Sequence, residues 1–182
     1  MKTLIFMASP NKKGNTQAML EAFLKELRGE TYIINCYDVN VKPCIGCKIC
    51  YTCEGKCSIN DDMTYIYEKI NESDNIAIFS PMYFASYPGT LKNIIDRMQV
   101  YWSKKYILNS NQTISKKKGV LFLNAGSEWR DMFKPMQNMF KYIMKSIGGE
   151  VIGGVYISNT DKFPVRENEE AFERIYEVVR KL

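Results

Sequence analysis

Eight residues, Ser9-Pro10-Asn11-Lys12-Lys13-Gly14-Asn15-Thr16, join an apolar run to an amphipathic one and leave the chain few folds to choose from. Before them, Lys2-Thr3-Leu4-Ile5-Phe6-Met7-Ala8 is short, apolar and rich in β-formers, the pattern of a parallel strand covered on both faces. After them, Thr16 to Leu27 carries Met19, Leu20, Phe23, Leu24 and Leu27 at helical spacing. Where a strand turns straight into a helix, the first helical amides have no partner and the helix dipole is positive. Such a turn holds a phosphate on backbone N–H groups, and Ser9, Asn11, Asn15 and Thr16 add side-chain donors while Gly14 lets the backbone come close. The same residues also suit ordinary helix capping. The spacing is neither a Walker loop nor Gly-x-Gly-x-x-Gly.

The remaining pattern repeats the unit. Strands are expected at Tyr32 to Tyr37, Asn75 to Phe79, Gly119 to Leu123 and Val151 to Ile157. Helices are expected from Met63 through Ile70 behind an Asp61-Asp62 cap, at Thr90 to Met98, at Met132 to Ile147 and at Glu167 to Leu182. Five strands alternating with five helices imply an α/β, doubly wound, five-stranded parallel sheet, since parallel neighbours need crossovers. With a phosphate loop after the first strand, the order 2-1-3-4-5 fits, and its ligand crevice lies at the carboxyl ends of strands 1 and 3. At 182 residues and 46% apolar content, one domain over residues 1–182 is expected, with a cysteine-rich loop at 43–59.

Exclusions come from composition. There is no histidine, so imidazole proton transfer, Ser-His or Cys-His nucleophiles and His-ligated metals are ruled out. No apolar run nears the roughly 18 residues of a membrane span, and Lys2 leads into a strand rather than a signal-peptide core, so a cytoplasmic, membrane-free protein is expected. The net charge of +5 is spread along the chain, which argues against nucleic acid and slightly favours anionic ligands. Lys116-Lys117-Lys118 reads as a solvated lead-in to a strand. Gly148-Gly149 and Gly153-Gly154 follow a helix and flank a strand, the reverse of a dinucleotide fingerprint, and read as a helix cap and a strand edge.

Two further loops bring chemistry to the crevice. Ser80-Pro81-Met82-Tyr83-Phe84 leaves the third strand at the switch point, where aromatic faces suit a flat ring and backbone amides its polar edge. The fourth strand stops at Asn124-Ala125-Gly126. Five cysteines, Cys44, Cys47, Cys50, Cys53 and Cys57, fall within fourteen residues, while Cys36 reads as a core residue in a strand. Their spacing suits a cubane iron-sulfur cluster. Zinc fits less well, and reduced thiols or a disulfide are the remaining alternatives. Lys42, Lys48 and Lys56 are expected to lower the thiol pKa values.

With Ser9-Pro10…Gly14-Asn15-Thr16, Pro43-Cys44-Ile45-Gly46-Cys47-Lys48-Ile49-Cys50, Cys57-Ser58-Ile59-Asn60-Asp61-Asp62-Met63, Ser80-Pro81-Met82-Tyr83 and Gly89-Thr90-Leu91-Lys92-Asn93-Ile94-Ile95-Asp96-Arg97 in order, the chain resembles the flavodoxin-fold NAD(P)H-dependent FMN reductases, and more closely their iron-sulfur flavoprotein branch. The resemblance implies that Ser9, Asn11, Gly14, Asn15 and Thr16 hold the FMN phosphate. It implies that Ser80, Pro81, Met82, Tyr83 and Phe84 line the isoalloxazine and that Asn124, Ala125 and Gly126 close its other side. It selects Cys44, Cys47, Cys50 and Cys57 as ligands of a [4Fe-4S] cluster, with Cys53 a spare thiol. Leu91-Lys92 and Asp96-Arg97 are expected to pack and to form an ion pair. The implied protein is a homodimeric or homotetrameric oxidoreductase. It would take electrons from NAD(P)H or a protein donor and pass them to a small-molecule or protein acceptor. A cluster-free quinone, nitro or azo reductase and a non-enzymatic flavodoxin-like carrier are the alternatives.

Overall fold

The computed structural model describes residues 1–52, 56–109 and 116–182. Its strands are β1 (Lys2–Met7), β2 (Glu30–Asn35), β3 (Asn75–Pro81), β4 (Lys118–Asn124) and β5 (Glu150–Ile157). They form one all-parallel sheet in the order β2-β1-β3-β4-β5, as the sequence implies. The helices are α1 (Asn15–Glu26), α2 (Met63–Glu72), α3 (Gly89–Arg97), α4 (Gln99–Tyr106), α5 (Lys134–Ser146) and α6 (Glu169–Val179), with short 3-10 turns at Ile49–Tyr51 and Val165–Glu167. The helix α4 is not anticipated by the five-helix reading.

Side chains alternate across the sheet with the period of two that a doubly covered strand demands. Leu4, Phe6, Ile76, Ile78, Leu121 and Leu123 enter one core with α2, α3 and α5. Ile5, Met7, Ala77, Phe79, Val120 and Phe122 enter the other with α1 and α6. There Phe79 and Phe122 stack at 4.4 Å, and Phe23 of α1 meets both edge-on at 5.2 and 5.3 Å.

Three local expectations are corrected. Cys36 is buried core, but it sits in the turn after β2 rather than in the strand. Lys117 is not solvated: it is buried, and its Nζ donates to the Ser73 and Asn71 carbonyls at the end of α2, where a cation complements the helix dipole. Burial lowers its pKa. Asp62 stands at the N-cap of α2 without a capping bond, and it is Asp61 Oδ1 that accepts from the Met63 amide. Gly148 takes the left-handed φ of +78° expected of a helix C-cap, and Gly153 and Gly154 lie within the edge strand β5. No helix among the described residues is long and apolar enough to cross a membrane.

Candidate functional site

The parallel sheet delivers the loops after β1, β3 and β4 to one end, and hydrogen bonds tie them together there. Asn124, the last residue of β4, uses its backbone carbonyl to accept from Met82 N at 2.8 Å, which fixes the loop after β3. Its side-chain Nδ2 donates to Thr16 Oγ1 at 2.7 Å, which fixes the start of α1.

The loop after β1 is built as a donor surface. Ser9 Oγ accepts from Asn11 N at 3.3 Å and Asn11 Oδ1 from Lys13 N at 3.0 Å. Asn15 Oδ1 accepts from Val165 N at 2.9 Å, and Thr16 Oγ1 from Asn124. All four side chains therefore use an acceptor internally, and among the described residues none of their hydroxyl or amide protons is committed. Gly14 is the N-cap of α1 and offers no side chain to cap it, and the first turn holds no acidic residue. Orphan amides, free donors and a positive dipole end suit a phosphate dianion. The close approach at Gly14 is internal as well, since a Cβ there would stand 2.9 Å from the Asn11 amide nitrogen.

The loop after β3 forms a tight turn. Tyr83 and Ser86 exchange both backbone bonds at 3.0 Å, and Phe84 and Ala85 between them have φ of +49° and +57°, the signature of a type I′ turn. Phe84 is fully exposed and Tyr83 half-exposed, so both rings face outward. From Met82 to Ser86, only the amides of Phe84 and Ala85 lack an internal partner among the described residues. Ser80 is buried and its hydroxyl donates to the Pro81 carbonyl, a backbone role rather than a ligand-facing one.

A fourth loop, after β5, also reaches this end, and the sequence reading missed it. Thr160 donates through N and Oγ1 to the Ala125 carbonyl at 3.0 and 3.1 Å, and Val165 N reaches Asn15. Asp161 crowds Gly126 so closely that a Cβ there would stand 2.3 Å from its carboxylate. The signal available was its position, a polar Asn159-Thr160-Asp161 run at the carboxyl end of a parallel strand.

The cysteine loop makes a second site. Cys44, Cys47, Cys50 and Cys57 all line one cavity of about 420 Å³, together with Arg97 and Gln99. Cys53 lies outside the described residues. Ser103 Oγ holds the Cys50 carbonyl at 2.8 Å, and Trp102 of α4 packs on Tyr51. The Cys47 thiol pKa is lowered by the Ser58 hydroxyl 3.2 Å away. That of Cys50 is raised, by burial first and then by the neighbouring Cys57, Cys44 and Cys47. No lysine is among the leading causes at either of these two thiols. Among the described residues no three Cys, Asp or Glu side chains stand close enough together to hold an ion. The donor set, four thiols on a short loop with no imidazole, has the chemistry of a cluster site, but the positions do not form a closed cage.

Arg97, expected to pair with Asp96, turns inward to Asp61 at 2.8 Å instead, and Asp96 pairs with Lys92 at 2.6 Å along α3.

The sequence model described as NADPH-dependent FMN reductase matches residues 1–161. The chain belongs to the NADPH-dependent FMN reductase family. It is 39% identical over 113 residues to an iron-sulfur flavoprotein of Archaeoglobus fulgidus, covering 60% of this chain and 55% of that one. It is 27% identical over 191 residues to the iron-sulfur flavoprotein of Methanosarcina thermophila, covering 100% and 93%. Both relatives carry the name iron-sulfur flavoprotein; against the former, the match spans about half the relative's length. In fold it is similar to the NAD(P)H:quinone oxidoreductase from Methanothermobacter marburgensis, with a TM-score of 0.74, 19% identity and coverage of 100% and 95%. The azoreductase AzrA gives a TM-score of 0.73 at 14% identity, with both chains fully covered. This FMN reductase family member thus has the family's flavodoxin-like sheet order, with its polar loops gathered at the carboxyl end of the strands.

Proposed function

We propose that this FMN reductase family member is a cytoplasmic, FMN-dependent oxidoreductase of residues 1–182 acting as one domain. The observation that carries the reading is the loop after β1, whose four polar side chains keep their donors free at an uncapped helix start. One terminal phosphate fits such a loop, and the chain has no pyrophosphate fingerprint, which favours FMN over FAD. Ser9, Asn11, Gly14, Asn15 and Thr16 would hold the phosphate. Pro81 to Phe84 would line one face of the ring, with the exposed Tyr83 and Phe84 as stacking partners, and the backbone of Asn124 to Gly126 the other. FMN would supply hydride acceptance and one-electron transfer, and the protein orientation and shielding.

Cys44, Cys47, Cys50 and Cys57 would bind a [4Fe-4S] cluster, supported by their shared cavity and by the names of the curated relatives. NAD(P)H or a reduced protein would be the donor, a small molecule or protein the acceptor, and the assembly a homodimer or homotetramer. The quinone oxidoreductase and azoreductase among the structural neighbours favour a cluster-free reductase as the second reading. Anaerobic purification followed by an absorption spectrum, flavin and iron analysis and NAD(P)H oxidation decides between them. About four irons and one FMN per chain are expected. FMN without iron leaves the second reading, and absence of flavin binding removes both.

A further inference from the structure

Asn124 does not have its side chain free to cover a ring. Both it and Thr16 are buried, 108 residues apart in sequence, and Asn124 Nδ2 donates to Thr16 Oγ1 at 2.7 Å. A threonine hydroxyl carries one proton and two lone pairs. Once a lone pair is occupied by a fixed amide N–H, the hydroxyl proton has to point elsewhere, and among the described residues nothing accepts it. The hydroxyl sits in the first turn of α1, whose amides are uncapped, one residue after Asn15. The Asn124 backbone is held independently, by its carbonyl bond to Met82 N and its place in the β4 ladder, so the side chain has no part in keeping the strand in register.

We propose that Asn124 is a positioning residue that fixes the Thr16 hydroxyl as a proton donor to a phosphomonoester, and so makes the site select a flavin phosphate over the unphosphorylated flavin. This rests on the FMN reading above. The device separates the two halves of the ligand: a change at Asn124 acts on the phosphate through Thr16 and leaves ring contacts alone. A hydrogen bond between buried neutral groups also strengthens the outward donor, because each bond in a chain polarises the next.

The test titrates flavin-depleted protein with FMN and with riboflavin, following quenching of flavin fluorescence. In Asn124→Ala, the ratio of FMN to riboflavin affinity should fall about two- to tenfold, the range one net hydrogen bond spans, with riboflavin affinity unchanged. In a Thr16→Val background the same Asn124→Ala change should leave the ratio where Thr16→Val alone put it. Asn124→Asp, which keeps the shape and turns the donor into an acceptor for the Thr16 proton, is the second variant should the alanine protein not fold, and should lower the ratio further. Equal losses for both flavins, an Asn124→Ala effect that persists without the Thr16 hydroxyl, or an unchanged ratio in Asn124→Asp overturns the role given to Asn124. Failure of the unaltered chain to bind either flavin, or to prefer FMN, overturns the FMN reading itself.

Discussion

Arg97 and Asp61 form a buried, two-pronged ion pair that closes the base of the cysteine loop. Arg97 Nη1 lies 2.8 Å from Asp61 Oδ2, and Nη2 lies 3.2 Å from Oδ1. The same guanidinium donates to the Lys42 carbonyl at 3.0 Å and the Ile59 carbonyl at 3.1 Å, the entry and exit of the loop. Asp61 in turn accepts from the amides of Lys42 and Met63. Burial acts to raise the Asp61 carboxyl, but Arg97 and the two amides outweigh it and hold the pKa below the usual carboxylate range.

Removing one member of that pair should cost far more than removing both. Asp61→Asn leaves a buried guanidinium without its counter-charge and should destabilise the chain by about 3–5 kcal/mol in urea unfolding. The double change Asp61→Leu with Arg97→Met, apolar residues of similar size, should recover most of it. A single variant within about 0.5 kcal/mol of the parent would mean that the pair is not buried in solution.

Alkali should destabilise the fold through Cys36. Burial pushes its thiol up to about 12, whereas an unfolded cysteine ionises near about 8.5. A folded pKa above the unfolded one gives stability that is complete below about 8.5 and drains away as pH climbs toward the folded value. Its slope is about 1.4 kcal/mol per pH unit once the unfolded thiol is ionised. Cys36→Ala should lose stability less steeply than the parent between pH 9 and 10, whatever its own baseline. Parallel curves would show that Cys36 ionises in both states alike.

The turn bearing Tyr83 and Phe84 should be dispensable for folding and important for flavin. Both rings are exposed, so replacing the pair by alanine should move stability by about 0.5 kcal/mol or less. Stacked on a ring, however, they would quench its emission, and the double variant should bind flavin more weakly and leave it brighter. Unchanged quenching would assign the ring face to other residues.

Gly126 should tolerate no side chain while Asp161 is present. Gly126→Ala puts a methyl within 2.3 Å of the Asp161 carboxylate and should weaken flavin binding by displacing one of the two loops. Adding Asp161→Ala should restore it. Failure of the pair to recover would place the conflict in the backbone rather than in that carboxylate.

Much of this architecture was legible in the sequence because it rests on local period and spacing. The alternation in Leu4-Ile5-Phe6-Met7 and the helical spacing of Met136, Phe140, Ile143 and Met144 each report a buried face directly, and every anticipated boundary lies within three residues of its place. What escaped depends on partners far along the chain. Arg97 read as the helix neighbour of Asp96, and no spacing rule connects it to Asp61, 36 residues earlier. Lys117 looked like one solvated lysine of three because its acceptors, Asn71 and Ser73, lie in a different unit. The helix α4 has its polar and aromatic contacts with the cysteine loop, Ser103 with Cys50 and Trp102 with Tyr51, rather than a simple apolar stripe against the sheet. At the loop after β1 the residue types were readable, but their division of labour was not. That Ser9, Asn11, Asn15 and Thr16 accept internally and keep their donors free becomes visible only in three dimensions.

The guanidinium at the neck of the cysteine loop alters how the segment beyond it can fail. A loop whose two ends are already joined by protein groups has had its closure entropy met before any metal arrives. Zinc fingers, by contrast, fold only when the ion does that joining. The cluster proposed for the four thiols would therefore be stripped by oxygen or a chelator as a local injury, with the five-stranded sheet and the loop after β1 standing, and would be reinstalled on a folded chain instead of being built into a nascent one.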